Sequence, residues 1–310
     1  MMLTVPINQT KLFGLEKYMF ELINLHKNDK LPNKILFSGQ KGLGKSTLAF
    51  HFFNYVLSKN EDFQYDINTL QINPDNRSFK TVLNKSNPNL ILIDIDQDKK
   101  SIDIKQIRNL ILNLNKHSFN EKPRFVLIDN IEFLNTNSIN ALLKVLEEPS
   151  ENVYFFLVNN NKKIAPTLLS RCISFKIFLS NNENIEIANK LLDGKLFDKI
   201  NKDLVNYYFS PGNIINLIKF AELNNYNLLN MSLKDFLYII IDDKVYKKDN
   251  IINYLILDLI EFYFNKIDKR LFPNINDKYN LFLKRASDTK RFNLDEESLF
   301  MEFKEDILNG

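Results

Sequence analysis

Apolar residues follow two different rhythms along this chain. Up to about residue 179, short unbroken apolar runs alternate with segments whose apolar positions recur every three or four residues. The runs are NKILFS (33–38), NLILIDI (89–95), RFVLID (124–129), VYFFLV (153–158) and CISFKI (172–177). Each is short enough for a strand buried on both faces. Between them, KSTLAFHFFNYVLS (45–58) and IDIKQIRNLILNLN (102–115) have helical spacing, the latter with Ile104, Ile107, Ile111 and Leu114 on one face. NTNSINALLKVLEEP (135–149) opens on capping residues and stops before Pro149, as a helix should. Strands that alternate with helices predict a parallel α/β sheet covered on both sides.

Beyond residue 179 the runs give way to amphipathic segments: NNENIEIANKLL, PGNIINLIKFAEL, SLKDFLYIIIDD, then the longer IINYLILDLIEFYFNKI and NLFLKRASDTKRF. No further strong strand is visible. The organisation expected is an α/β domain over 1–178, a small helical domain over 179–242 and a larger helical domain over 243–310. Residues 57–88 read as an irregular insertion, and no internal repeat is found.

Residues 39–46 spell GQKGLGKS, the phosphate-loop pattern in full, between a strand and a helix. Three of the chain's seven glycines, Gly39, Gly42 and Gly44, fall in these eight residues. Backbone N–H groups that turn inward around a phosphate need unusual dihedrals and no side-chain bulk. Lys45 would carry positive charge to the β- and γ-phosphates. Ser46 would offer a hydroxyl to Mg²⁺, and the helix that continues through Thr47 would point its N-terminal dipole at the anion. Asp129 ends the third run, where a second magnesium-directed carboxylate belongs. The cofactor implied is ATP with Mg²⁺.

Composition removes other classes. With 45% hydrophobic and 25% charged residues, the 310-residue chain is not disordered. A net charge of +3 allows a supporting nucleic-acid contact without demanding one. A single cysteine, Cys172, excludes an intrachain disulfide and a cysteine-built zinc cage; it reads as packing. His26, His51 and His117 are scattered. The start MMLTVPINQT lacks a secretory pattern, and no apolar stretch reaches the about 18 residues of a membrane helix. A soluble cytoplasmic protein without membrane partners is expected.

These motifs alone would serve a small-molecule kinase, a GTPase or a motor. NALLKVLEEP (140–149) followed by PTLLSRC (166–172) narrows the choice, because the pair resembles the clamp-loader branch of the AAA+ ATPases. LFGLEK (12–17), LPNKILFSGQKGLGKSTLA (31–49) and SPGNIINLI (210–218) resemble the delta-prime type of subunit in bacterial DNA polymerase III. The resemblance covers residues 5–220 well, and the remainder only as a helical domain of similar length. It implies an AAA+ core, a helical lid and a collar that joins gamma/tau- and delta-type subunits in a hetero-pentameric ring. Such a ring loads a sliding clamp onto primed DNA. It further implies that Arg171 acts in trans as an arginine finger on nucleotide held by a neighbour.

Departures from that pattern matter. Asn130 stands where hydrolysing relatives carry a glutamate, and an amide cannot take a proton from water. Glu132, on a continuing strand, would share Asn130's face but lie about 6 to 7 Å away. Asn213 replaces an arginine of the lid, while Asn159 is the candidate polar sensor beside the γ-phosphate. The chain thus reads as a subunit that holds ATP with little or no hydrolysis of its own. The alternatives are an active gamma/tau-like motor and, from another class, a P-loop kinase. No zinc is expected, since the insertion lacks the cysteines of related subunits. Lys99, Lys100, Lys105 and Arg108 mark the face on which DNA could lie.

Overall fold

A computed structural model describes residues 5–96, 99, 101–116, 120–205, 209–267, 274–292 and 294–309. Lys100 and His117 lie outside them. The chain divides into two compact units, Met1–Glu183 and Asn184–Gly310.

In the first unit the five apolar runs form β1 (Lys34–Ser38), β2 (Leu90–Ile93), β3 (Arg124–Ile128), β4 (Val153–Asn159) and β5 (Ile173–Lys176). They build the expected parallel sheet, in the order β2-β3-β4-β1-β5. Helices α1 (Glu16–Lys27), α2 (Lys45–Leu57), α3 (Arg77–Leu83), α4 (Ile104–Leu114), α5 (Thr136–Glu147) and the single turn α6 (Pro166–Leu169) link the strands.

Alternation along β1, β3 and β4, covered on both faces, explains why their runs are apolar throughout, whereas β5 lies at the sheet edge and is mostly exposed, so the expectation of burial on both faces fails there. Leu36, Val126, Ile128, Phe155 and Leu157 join Ile107, Leu110, Leu142 and Leu146 of α4 and α5 in one cluster. The opposite positions of β3 and β4 meet α2: Phe53 stacks on Phe125 with centroids 4.6 Å apart and meets Phe156 edge-on at 4.9 Å. Such aromatic pairs add about 0.5–1.5 kcal/mol each beyond their burial. The register pairs Ser38 with Asn159 and Ile93 with Ile128, which brings the carboxyl ends of four neighbouring strands to one edge of the sheet. Open parallel sheets bind ligands along that edge.

The stretch 57–88 is more ordered than its sequence suggested. It contains α3, whose cap Asn76 accepts from Phe79 N at 2.7 Å. Glu61 fastens the segment: its carboxylate accepts from Ser78 Oγ at 2.6 Å, Ser78 N at 3.0 Å and Asn76 Nδ2 at 2.9 Å. Lys122 reaches the same carboxylate at 3.4 Å and Leu57 O at 2.6 Å. Asn54 on α2 donates to Asn76 Oδ1 at 2.8 Å.

The second unit is helical: α7 (Asn181–Leu192, which starts in the first unit), α8 (Pro211–Leu223), α9 (Leu233–Asp242), α10 (Val245–Lys248), α11 (Asn250–Lys266), α12 (Ile275–Phe292) and α13 (Glu296–Phe303). Ser210 caps α8, and Ser232 closes a capping box with Asp235 on α9. Leu217, Phe236, Ile240, Leu255, Leu259 and Phe300 lie in one core cluster. Among the described residues, no helix is long and apolar enough to cross a membrane.

Candidate nucleotide-binding site

β1 runs into the glycine loop, and α2 begins at Lys45. The three loop glycines are needed for different reasons. Gly42 and Gly44 have φ of 83° and 84°, the left-handed region. Gly39 is a close approach: a Cβ there would sit 2.4 Å from Ile177 O. Lys45 is 3% exposed and donates to Gly39 O at 2.8 Å and Gln40 O at 2.6 Å. Burial pushes its pKa down to about 8, against the pull of Asp129 and Glu132, and Lys41 lowers it further. Thr47 lies half-buried in the first turn of α2.

Ser46 Oγ donates to Asp129 Oδ2 at 2.5 Å, although 83 residues separate the two. Asp129 Oδ1 accepts from Asn130 N at 2.8 Å. Burial raises the Asp129 pKa despite the Ser46 hydroxyl, and Asp94 raises it further. A cation beside Ser46 and Asp129 would offset that penalty. A hydroxyl and a carboxylate are the hard oxygen donors Mg²⁺ takes, with phosphates and water completing its shell. The residues therefore fit ATP with Mg²⁺. Groups of three or more His, Cys, Asp or Glu suited to an ion held by protein alone are absent among the described residues.

Asn130 is the turning point of the site. The strand ends at Ile128, Asn130 takes φ 54°, and residues 131–133 form a single 3₁₀ turn. The expectation of a continuing strand therefore fails, and with it the separation assigned to Glu132. Asparagine tolerates the left-handed conformation better than most residues. The turn folds Glu132 back so that its carboxylate accepts from Asn160 Nδ2 at 3.0 Å. Asn160 Nδ2 also donates to Asn130 Oδ1 at 2.8 Å, and Asn130 Nδ2 donates to Asp94 Oδ1 at 2.7 Å. Two amides thus link two carboxylates in one chain of hydrogen bonds. Asn159, at the end of β4, is used locally: its amide donates to Lys162 O at 2.9 Å and its carbonyl oxygen accepts from Lys162 N at 3.3 Å. Asp94 and Asn160 were not singled out in the sequence. The available signal was their place at the carboxyl ends of β2 and β4.

Arg171 lies outside this cluster, in the turn between α6 and β5. Its guanidinium donates to Thr167 O at 3.0 Å and to Glu147 Oε1 at 2.6 Å. Cys172 next to it packs against the core, and burial pushes its thiol up to about 11, so it is no nucleophile. Asn213, in the second unit, is buried as the third residue of α8, and its Nδ2 has no partner among the described residues. Lys99 is engaged by Asp96 at 3.0 Å and Asp103 at 2.7 Å, whereas Lys105 and Arg108 are exposed on α4.

A protein-family model described as DNA polymerase III, delta subunit, matches residues 14–180, more than half of the chain. The chain belongs to the DNA polymerase III clamp-loader family. Its five-stranded parallel sheet with intervening helices is the α/β core expected from the sequence. The gamma/tau subunit of Mycoplasma genitalium is 34% identical over 172 residues, which are 55% of this chain and 27% of that subunit. The chain thus spans little more than a quarter of that relative. The delta-prime subunit of Buchnera aphidicola is 26% identical over 292 residues, 86% of this chain and 84% of that one. A gamma-subunit-related protein of DNA polymerase III from Thermotoga maritima superposes over 83% of this chain and 76% of its own, at 18% identity and a TM-score of 0.44. In this chain the glycine loop and the Ser46–Asp129 pair lie together, and the half-buried Arg171 lies apart from them.

Proposed function

We propose that this chain is a delta-prime-like clamp-loader subunit. It completes a hetero-pentameric ring with gamma/tau- and delta-type subunits and helps load a sliding clamp onto primed DNA. Residues 179–242 act as its lid and 243–310 as its collar. Gly39, Gly42, Gly44, Lys45, Ser46, Thr47, Asp129 and Asn159 line its nucleotide pocket, with Ser46 and Asp129 directed at Mg²⁺. ATP is held there with little or no hydrolysis.

The observation that carries this reading is the state of Asn130. Its amide is fixed between Asp94 and Asn160, and it has no basic atom with which to deprotonate a water. Catalytic work shifts to Arg171, which serves a neighbour's nucleotide. That residue is 31% exposed, and Leu169 and Ile173, two positions to either side, are 46% and 56% exposed. Apolar side chains around a cationic fork suit a surface that a neighbouring subunit covers.

One observation favours the motor reading: Glu132 supplies a carboxylate within the same hydrogen-bonded chain. Turnover by the isolated chain separates the two. ATP should bind in calorimetry with no turnover above background, and steady hydrolysis would sink the holding role. Within the reconstituted complex, Arg171→Ala should lower clamp-stimulated turnover by about 10³-fold while the ring still assembles. Loss of assembly instead would make Arg171 structural.

A further inference from the structure

Arg171 projects from a turn that is itself fixed. Leu168 is buried, and the backbone N–H groups of Arg171 and Cys172 close onto Leu168 O and Leu169 O at 3.2 and 3.4 Å. A guanidinium on a long aliphatic stem would still sample many rotamers, and side-chain entropy would oppose any single one. Two contacts restrict that freedom. Nη1 donates to Thr167 O at 3.0 Å, within the same turn. Nη2 donates to Glu147 Oε1 at 2.6 Å, across 24 residues of sequence.

Glu147 is in turn held from behind. It is the last residue of α5, where unsatisfied helix carbonyls gather. Lys34 Nζ, from the first residue of β1, donates to Leu146 O at 3.0 Å. Leu146 itself is fully buried against the sheet. The end of the helix is therefore pinned to the strand that leads into the phosphate loop, while the Glu147 side chain extends to the surface.

We infer that Glu147 is a positioning residue for Arg171, holding the guanidinium oriented for a neighbouring subunit's nucleotide before that neighbour arrives. This rests on the reading of Arg171 as a finger. The side chains are 31% and 54% exposed, so the ion pair adds little to folding. Its value is geometric, because a catalytic charge must be placed to within a fraction of an ångström. A guanidinium has more N–H donors than these two contacts use, so it can engage a phosphate while Glu147 keeps its hold.

The test uses the reconstituted clamp-loader complex with clamp and primed DNA. Glu147→Gln should lower kcat for ATP by about tenfold with KM and ring assembly unchanged. Glu147→Asp, which keeps the charge on a shorter stem, should recover part of the rate. Arg171→Ala combined with Glu147→Gln should be no slower than Arg171→Ala alone, since both act through one group. If Glu147→Gln turns over at the wild-type rate while Arg171→Ala is slow, Glu147 is a surface charge and the finger reading survives. If Glu147→Gln is faster, the carboxylate restrains the arginine and the inference is reversed. If Arg171→Ala keeps full turnover, the finger reading fails and this inference fails with it.

Discussion

Asn130 donates its side-chain amide to Asp94 Oδ1 at 2.7 Å, so the left-handed residue that follows β3 and Asp129 is held by a carboxylate from the end of β2. Its own oxygen is taken by Asn160, whose amide also reaches Glu132. A glutamate at 130 would remove the donor to Asp94 and bring a third acid next to Asp94 and Glu132. Like charges at that range disfavour ionisation, and the structured hydrogen bonds of Asn130 are exchanged for water. Asn130→Glu should therefore gain no ATPase activity in the isolated chain and lose about 0.5–1.5 kcal/mol of stability in urea unfolding, because the lost bonds lie at a partly exposed site. Adding Asp94→Asn supplies an amide donor to the new carboxylate and should restore most of that loss. A hydrolysing, fully stable Asn130→Glu single variant would contradict this account.

Lys45 should make any nucleotide affinity of this loop depend on pH. With its pKa near 8 in the free chain, the ammonium is charged at neutrality and largely discharged at pH 9. Only the charged form attracts a phosphate, and a bound anion raises the lysine's pKa again. Affinity for ATP should thus be steady below pH 7.5 and fall by about tenfold at pH 9, with proton uptake on binding in the upper range. Calorimetry in buffers of different ionisation enthalpy reads both quantities. A flat affinity across this range, or no proton uptake at pH 8.5, would mean that Lys45 does not meet the phosphates.

What could be read in advance follows a physical line. Phe125 to Ile128 and Phe155 to Leu157 announce buried strands because both faces of the sheet are covered. The loop at 39–46 is legible because its dihedrals demand glycine at fixed spacing. Asp94 and Asn160 are not legible, since only the register of β2, β3 and β4 brings them to Asn130. Glu132 was misplaced for a local reason: the left-handed Asn130 ends the strand, and alternation no longer applies beyond it. The Arg171–Glu147 pair joins the end of one helix to the turn after another, a proximity that no periodicity encodes.

Glu61 carries more of the first unit's order than its place in a poorly patterned segment suggests. Its carboxylate is wrapped by Ser78, Asn76 and Lys122. Burial alone would raise its pKa, but the Ser78 hydroxyl and amide, with Lys122, outweigh it and hold the carboxylate below its usual range. Glu61→Ala leaves Ser78, Asn76 and Lys122 short of an acceptor and should cost about 2–3 kcal/mol. Glu61→Gln keeps part of the geometry and should cost less. Amide exchange should rise through α3 in the alanine variant. Unchanged protection there would show that the segment is held by its apolar contacts, Phe79 and Val82, instead.

His51 should dominate the response of the fold to mild acid. It is fully buried on α2, with Nδ1 3.0 Å from Tyr65 Oη and Nε2 3.1 Å from Gln9 O. A carbonyl only accepts, so Nε2 carries the proton and Nδ1 accepts from the tyrosine, which is the neutral ring. Burial pushes its pKa down to about 4, although the Gln9 carbonyl favours the charged form. In the unfolded chain the ring titrates near its ordinary value of 6.5. Between those two values the unfolded state binds a proton that the folded state refuses, so stability is complete above the upper value and falls as pH drops toward the lower one. The loss should reach about 2 kcal/mol by pH 5 and about 3 kcal/mol by pH 4. His51→Gln removes the titrating ring, so this arm of the pH profile should flatten even if the variant starts from lower stability at pH 7.5. Urea unfolding of both chains at pH 7.5 and 5 measures the difference. Parallel losses in the two proteins would assign the acid sensitivity to other groups and leave His51 a purely structural link between the N-terminal segment and α2.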